Sequence, residues 1–189
     1  MRKIVFLNHV SLDGFVSGPN GEMDWIRAPQ ELFDWGSVLT DQADTALYGR
    51  ITYGIMQNYW PTAGNKPNAG KHDKEHSAWY NQVTKVVVSK TLKEEGLEKT
   101  MIIRDNVAKN VQELKQQRGK NIQIYGSPSI IQELLNADLI DEFYLTVNPV
   151  ILGKGKPLFN HIQKKTMFSL VETKTFPQGV VLLHYAKEK

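Results

Sequence analysis

One unit occurs three times in this chain and constrains its fold more than any other feature of the sequence. A short β-type run ends in a small residue and is followed at once by polar residues that favour a turn or a helix start. The three runs are 45–49, 85–89 and 122–126. Strands that alternate with helices in this way predict an α/β fold with a parallel sheet.

The segments around these units extend the same interpretation. The run Lys3–Val10 has only apolar residues at positions 4–7, which predicts a central strand that is buried on both faces. The glycine-rich segment Ser11–Met23 predicts a long loop that can move. Ser127 followed by Pro128 is a helix-start signal. Helices are predicted over four segments: 30–39, 50 to about 57, about 107–114, and 130–136.

The C-terminal part of the chain follows a different pattern. Three further strand-like runs, 142–147, 168–175 and 179–186, have no long helical pattern between them, and Phe176–Gly179 has the composition of a hairpin turn. We therefore predict an α/β fold with a mixed β-sheet that is flanked by helices and ends in an antiparallel hairpin. At 189 residues, the chain is expected to form a single domain that spans residues 1–189.

Composition argues against several classes of function. The formal net charge is only +3 and the basic residues are scattered, so no nucleic acid is expected as a partner. The chain has no cysteine, which excludes disulfides, a thiolate nucleophile and a cysteine-ligated metal, and indicates the reducing cytoplasm. No apolar run approaches the ~18 residues that a membrane span needs, so no membrane is expected either. His72 and His76 have the spacing of two metal ligands on a helix, but without a third ligand no metal site is expected.

The ends of the three repeated runs carry residues that suit an anionic ligand. In an open α/β sheet, ligands bind beyond the carboxyl ends of the parallel strands, where helix N-termini present free N–H groups. If the strands are adjacent, the corners Gly49–Thr52, Ser89–Thr91 and Gly126–Ser129 lie at one edge. Arg50 can bind a phosphate with two N–H donors, and Lys90 adds positive charge. An elongated ligand with several phosphates, such as a dinucleotide, suits this arrangement; otherwise each glycine is a turn, each hydroxyl a helix cap and Arg50 a surface charge.

Six short motifs in the same order resemble the dihydrofolate reductase superfamily. Within it, the chain is most similar to the branch that holds the C-terminal reductase domain of bacterial riboflavin biosynthesis enzymes. The motifs, in chain order, are Ser11–Val16, Asp24–Trp25, Leu47–Tyr53, Val86–Ser89, Tyr125–Ser127 and Asn148–Gly155. The resemblance covers nearly the whole chain and implies a dihydrofolate-reductase-like fold, NADPH as the cofactor and a small-molecule substrate.

In that family, the helix start after one strand and the serine after the next strand hold phosphates of NADPH. The glycine turn before a later helix contacts the pyrophosphate and the nicotinamide half. The resemblance therefore implies three groups of cofactor-binding residues: Gly49, Arg50 and Thr52; Ser89, Lys90 and Thr91; and Gly126, Ser127 and Ser129. The family turn is often Gly-Gly, and here its second residue is Ser127. The loop Ser11–Trp25 corresponds to a lid over the nicotinamide and the substrate.

The candidate catalytic residues are Asp13, Trp25, Glu31 and Asp34. Asp13 and Trp25 lie in the lid, and Trp25 is placed to cover a planar substrate ring. Glu31 and Asp34 are the only carboxylates on the first predicted helix, where true dihydrofolate reductases carry the carboxylate that grips the pterin ring. The spacing from Trp25 to Gly49 is longer here, so neither aligns with that carboxylate, which argues against folate. The alternative for both is a solvated acidic face.

These observations lead to two hypotheses about function. The first is an NADPH-dependent reductase that transfers hydride to a small heterocyclic or ribosylamino-pyrimidine substrate. Its nearest analogy is 5-amino-6-(5-phosphoribosylamino)uracil reductase of riboflavin biosynthesis, and dihydrofolate reduction is an alternative. The second is a protein of the same fold that binds NADPH or another ligand without turnover, because no general acid can be assigned. A homodimer is also expected, since the apolar run Gly179–His184 needs to be covered by sheet pairing or by a partner.

Overall fold

The fold was determined as a computed structural model, which describes residues 1–188. The strands are β1 (Ile4–Ser11), β2 (Phe15–Ser17), β3 (Ala43–Gly49), β4 (Thr84–Val88), β5 (Thr100–Ile103), β6 (Asn121–Tyr125), β7 (Glu142–Asn148), β8 (Lys156–Pro157), β9 (Phe168–Thr175) and β10 (Val181–Lys187). The helices are α1 (Gln30–Asp41), α2 (Arg50–Ala63), α3 (Lys71–Gln82), α4 (Val107–Gln116) and α5 (Pro128–Asn136). A short 3₁₀ turn, Pro177–Gly179, joins β9 to β10.

Eight of the strands form one sheet in the order β5-β4-β3-β6-β1-β7-β10-β9. The first six in this order run parallel to one another, whereas β10 is antiparallel to both of its neighbours. β2 pairs with β8 in a separate two-stranded ladder. The prediction of a mixed sheet with an antiparallel C-terminal hairpin is therefore confirmed.

α4 and α5 pack on one face of this sheet. Val111 of α4 and Ile131 of α5 are completely buried in a cluster with Phe6 of β1 and Ile124 of β6. Full burial of such a side chain contributes about 1.5–3 kcal/mol relative to leaving it exposed. The apolar stripe of α4 that the sequence predicted is the surface that faces this cluster.

α1, α2 and α3 pack on the opposite face. Leu32 of α1 lies in a cluster with Val5 of β1, while Tyr53 of α2 and Tyr80 of α3 surround Tyr48 of β3. The chain thus leaves β3 towards one face and leaves β6 towards the other. In open α/β sheets, such a switch between neighbouring strands opens a crevice at their carboxyl ends, where ligands bind.

The structure differs from the sequence prediction at several elements. α2 extends beyond Gln57 to Ala63, and α3 and β5 were not predicted. The segment 11–23 is not a loop throughout, because it contains the short strand β2, which pairs with the equally unpredicted β8. α3 carries few apolar residues because its buried face is formed by His76, Ser77 and Tyr80, which give no apolar periodicity. β5 has only four residues and is a strand because it pairs with the edge of β4.

Within residues 1–188, no helix is long and apolar enough to cross a membrane. The same residues contain no group of three or more His, Cys, Asp or Glu side chains arranged to hold a metal ion.

An aromatic cluster encloses a histidine between α2 and α3. The ring of His76 lies 4.0 Å from that of Trp60 and 5.1 Å from that of Trp79, measured between ring centroids. Burial, with a smaller contribution from the neighbouring His72, lowers the pKa of His76 to about 3. The imidazole is therefore neutral in the folded protein throughout the range in which an unfolded histidine becomes protonated, near pH 6.5.

We expect this histidine to make the protein lose stability in mild acid. Between about pH 6.5 and pH 3 the unfolded chain binds a proton at His76 and the folded chain does not, so stability falls as the pH falls. One such group contributes up to about 1.4 kcal/mol per pH unit. In His76→Phe, which keeps an aromatic ring, urea unfolding at pH 6.5, 5.5 and 4.5 should show a slope smaller by about that amount.

The control for this experiment is the exposed histidine His161. His161→Asn should retain the acid slope of the wild-type protein, because His161 is exposed and lies outside the buried aromatic cluster. Equal slopes in the wild-type protein and in His76→Phe would contradict the assignment of the acid sensitivity to His76.

Candidate functional site

The three predicted corners meet at one edge of the sheet. β4, β3 and β6 are adjacent and parallel, with Gly49 opposite Val88 and Leu47 opposite Ile124. The carboxyl ends of these strands therefore point in the same direction. The structure brings together Gly49–Thr52, Ser89–Thr91 and Gly126–Ser129, as the spacing of the repeated units predicted.

The hydroxyl of Ser127 joins two of these corners. Its Oγ accepts a hydrogen bond from the N–H of Gly49 at 2.7 Å and donates one to Oγ1 of Thr52 at 3.0 Å. A Cβ atom on Gly49 would lie 2.8 Å from this Oγ, and one on Gly126 would lie 3.1 Å from the side chain of Thr52. The two glycines are thus required for the close approach of α2 to the β6–α5 turn.

This contact leaves both helix starts without a side-chain cap. Ser127 stands at the N-cap position of α5, as predicted, but its backbone is left-handed with φ 59° and its side chain does not cap the helix. Gly49 at the N-cap of α2 has no side chain that could accept a hydrogen bond from the first N–H groups of the helix. The first N–H groups of α2 and α5 therefore face the same edge without a capping side chain, and both helix dipoles favour an anion there.

Ser89 organises the third corner in a different way. Its side chain is buried, and its Oγ accepts hydrogen bonds from the N–H groups of Thr91 at 3.2 Å and Leu92 at 3.0 Å. The hydroxyl therefore holds a tight turn at the end of β4. Lys90 and Thr91 remain exposed on that turn.

An open pocket separates this turn from α2. It has a volume of about 500 Å³, and Arg50, Tyr53, Thr91 and Lys93 are among its lining residues. Arg50 is exposed and makes no side-chain hydrogen bond or ion pair with any other residue in the range 1–188. Its guanidinium is available to a ligand, and Lys93 adds a second positive charge. A larger open pocket of about 640 Å³ lies at the opposite, amino-terminal edge and contains none of the corner residues.

In the segment predicted to form a lid, Asp13 binds the loop that follows β7. Its Oδ1 accepts hydrogen bonds from the Ser11 hydroxyl at 2.6 Å and from the N–H of Leu152 at 3.2 Å, and its Oδ2 accepts one from the N–H of Gly153 at 2.7 Å. These bonds, that of Ser11 foremost, lower the pKa of Asp13. The carboxylate is thus held in its ionised form, which suits an anchor for the lid better than a proton donor.

The other three candidate catalytic residues lie apart from the corners. Trp25 is partly buried, and its Nε1 donates to the carbonyl of Glu22 at 3.1 Å. Glu31 and Asp34 are both exposed on α1, whose buried face is formed by other residues such as Leu32. The structure therefore does not bring Glu31 or Asp34 onto the sheet.

Sequence analysis missed three polar residues at the ends of β1 and β7. Asn148 is fully buried, and its Oδ1 accepts from the N–H of Arg27 at 2.7 Å, which fastens the chain just beyond the lid to β7. His9 lies opposite Thr146 in the β1–β7 ladder, with Nδ1 2.5 Å from Oγ1. Burial lowers the pKa of His9 to about 4. Period-two alternation along β1, which puts His9 on the same face as Leu7, was the signal that could have found it.

Comparison with known families identifies the family of this chain. The model of the RibD C-terminal domain family matches residues 2–182. The chain belongs to this family. Two proteins of Bacillus subtilis (strain 168), YyaP and YwjB, are 37% and 32% identical to it. The alignments cover 97% and 98% of this chain, and 94% and 98% of the relatives. Both relatives are described as uncharacterized.

Solved structures show the same fold for the RibD C-terminal domain described here. A protein from Shewanella sp. PV-4 that is assigned to riboflavin biosynthesis has a TM-score of 0.76 at 23% identity, over 100% of both chains. A pyrimidine reductase-like protein from Corynebacterium diphtheriae has a TM-score of 0.70 at 18% identity, over 100% of this chain and 92% of the other. The predicted fold and its riboflavin-reductase branch are therefore confirmed.

Proposed function

We propose that this RibD C-terminal domain is an NADPH-dependent reductase. The observation that carries the proposal is the edge at which the three corners meet. It presents two helix starts without side-chain caps and, beside them, the unpaired Arg50 next to an open pocket. These groups suit a cofactor with a pyrophosphate and a further phosphate. When bound, NADPH supplies a hydride, which together with a proton from solvent reduces one double bond of the substrate and leaves NADP⁺.

The chain's own residues bind and orient the reactants. The N–H groups of α2 and α5 and the side chain of Arg50 hold phosphates, while Ser127 keeps the two helix starts at a constant separation. Asp13 holds the lid to the loop that follows β7, and Asn148 holds Arg27, two residues beyond the lid, to the end of β7. A lid held in this way excludes water from the reacting atoms.

A ribosylamino-pyrimidine is the substrate class that we favour. A solved relative from Thermotoga maritima is a deaminase and 5-amino-6-(5-phosphoribosylamino)uracil reductase; it shares the fold at a TM-score of 0.67 and 16% identity, over 99% of this chain and 57% of its own. Glu31 and Asp34 are exposed away from the sheet, so neither candidate is placed as the carboxylate that a pterin requires. Because neither carboxylate is placed to act as a general acid, a protein that binds NADPH without turnover is a second candidate.

A substrate panel tests the proposal. The absorbance of NADPH is followed with 5-amino-6-(5-phosphoribosylamino)uracil, dihydrofolate and simple carbonyl compounds. We expect oxidation with the pyrimidine. Oxidation with dihydrofolate alone would overturn the substrate class, and tight NADPH binding without oxidation by any compound would favour the non-catalytic protein.

We also propose a homodimer, through the edge strand β9. The apolar residues of β10 that were expected to need a partner are partly covered by β7 and β9, and Val180 and Leu182 are buried. The exposed apolar surface lies instead on β9, where Leu170 and Val171 are 54% and 56% exposed. Within residues 1–188, β9 pairs only with β10, so its other edge is open to a second copy.

Two charges on this strand should therefore prevent dimer formation. We expect the wild-type protein to show a dimer mass by light scattering at micromolar concentration, and Leu170→Asp/Val171→Asp to show a monomer mass with unchanged circular dichroism. Thr173→Asp/Thr175→Asp on the same strand is the matched control, because it adds two negative charges at exposed positions without removing a large apolar side chain. A monomeric wild-type protein would rule out the homodimer.

A further inference from the structure

The side chain of His9, near the carboxyl end of β1, has one ring nitrogen without a hydrogen-bond partner among residues 1–188. Its Nδ1 is 2.5 Å from Oγ1 of Thr146, a completely buried residue. That hydroxyl also donates to the backbone carbonyl of Asn8 at 3.3 Å. We assign the single hydroxyl proton to the Asn8 carbonyl; with this assignment Oγ1 accepts from Nδ1–H, and Nε2 of His9 carries a lone pair. Nε2 has no hydrogen-bond partner among residues 1–188.

The backbone beside His9 is open in the direction of the cofactor corners. β1 pairs with β6 only as far as Leu7, opposite Tyr125, whereas it pairs with β7 as far as Ser11. Beyond Tyr125 the chain turns away into α5 through Gly126. The end of β1 that carries His9 therefore borders the crevice between β1 and the β6–α5 turn.

The helices on this face leave the same region uncovered. α1 packs over the β1, β7 and β10 residues that include Val5 and Leu182, and α2 packs over β3 and β4. His9 is on the same face as Val5 but two pleats nearer to the carboxyl end, and it is partly exposed. A ring bound at this end of β1 would therefore lie beside the imidazole.

We propose that His9 recognises the heterocycle of the substrate, by accepting a hydrogen bond at Nε2 from a ring N–H. Thr146 acts as a positioning residue, because its hydroxyl orients the imidazole. The inference rests on the proposed reductase function and adds the group that selects the substrate ring. The neutral state of His9, which follows from its burial, keeps Nε2 available as an acceptor at physiological pH. A ring N–H next to a carbonyl, as in a uracil, is the chemistry that this acceptor selects.

A pair of small probes tests this contact by binding alone. The protein is saturated with NADP⁺ and titrated by calorimetry with 5,6-diaminouracil or with 5,6-diamino-1,3-dimethyluracil, in which both ring N–H groups are methylated. We expect the wild-type protein to bind the first probe about 10-fold more tightly. His9→Phe should lose this preference, and His9→Gln, which supplies an amide oxygen, should retain part of it.

Variants of Thr146 and a distant histidine complete the experiment. Thr146→Val should reduce the preference, Thr146→Ser should keep it, and His161→Asn should behave as the wild-type protein does. In ¹⁵N spectra, Nε2 of His9 should have the chemical shift of an unprotonated nitrogen and should move when 5,6-diaminouracil is added. All variants are first compared with the wild-type protein by thermal unfolding, so that loss of the fold is not mistaken for loss of the contact.

The outcomes separate this inference from the proposed function. An equal preference in the wild-type protein and His9→Phe, or a protonated Nε2, would overturn the role of His9 while NADPH binding stands. Binding of NADP⁺ with no binding of 5,6-diaminouracil would also overturn it. Failure to bind either NADPH or NADP⁺ would contradict the proposed reductase itself.

Discussion

Replacement of Arg50 by alanine is expected to weaken NADPH binding by about 1.5–3 kcal/mol, or roughly 10- to 150-fold in the dissociation constant. The guanidinium stands at the first position of α2, lines the open pocket and has no partner among residues 1–188. Its loss removes a charge-assisted hydrogen bond to the cofactor and nothing from the core. We therefore expect the thermal unfolding of Arg50→Ala to match that of the wild-type protein.

Three further measurements test whether Arg50 contacts a phosphate: the variant Arg50→Lys, the cofactor NADH and the control variant Arg118→Ala. Arg50→Lys should recover only part of the affinity, because an ammonium cannot reproduce the planar two-donor contact. If Arg50 binds the phosphate that NADH lacks, NADH affinity should hardly change in Arg50→Ala; if it binds the pyrophosphate, both cofactors should bind more weakly. Arg118→Ala, at the opposite edge of the sheet, should leave both unchanged. Unchanged dissociation constants for both cofactors in Arg50→Ala would remove this corner from the cofactor site.

Asp141→Ala is expected to have the largest effect on folding, a loss of about 3–5 kcal/mol in the free energy of unfolding. One carboxylate oxygen of Asp141 accepts from Nζ of Lys115 at 2.5 Å and from the N–H of Ile4 at 2.7 Å. The side chain of Lys115 is only 8% exposed, so removal of the carboxylate leaves an ammonium buried without its counter-charge. Urea unfolding at pH 7 and at one fixed protein concentration measures the loss.

An exposed ion pair provides the matched control. Lys109 and Glu113 lie 4.0 Å apart on the outer surface of α4, with side chains that are 77% and 60% exposed. Glu113→Ala should cost no more than about 0.5 kcal/mol, because water screens and solvates both charges. Adding Lys115→Met to Asp141→Ala should recover much of the lost stability, since no charge is then left unpaired. A loss in Asp141→Ala as small as that in Glu113→Ala would show that the buried pair does not stabilise the fold.

Elements with a strong local pattern were predicted from the sequence alone. β9 spans Phe168–Thr175 as predicted, because alternation and the turn residues after it act over a few positions. α5 begins at Pro128, since proline at the first turn is a local preference of the backbone. The order of six motifs was sufficient to predict the fold and the family. The three repeated units, each a strand followed by a turn, indicated which corners lie together.

The use of each polar side chain was decided only by the tertiary structure. Ser127 was predicted to cap α5, but its hydroxyl binds Gly49, 78 positions away in the chain. Asp13 was a catalytic candidate, but its carboxylate binds Gly153, 140 positions away. His9 gained its importance from Thr146, 137 positions away, which the β1–β7 pairing places opposite it. Local preferences determine where strands and helices form, whereas hydrogen-bond partners depend on which strands become neighbours, and that is set by the packing of the whole chain.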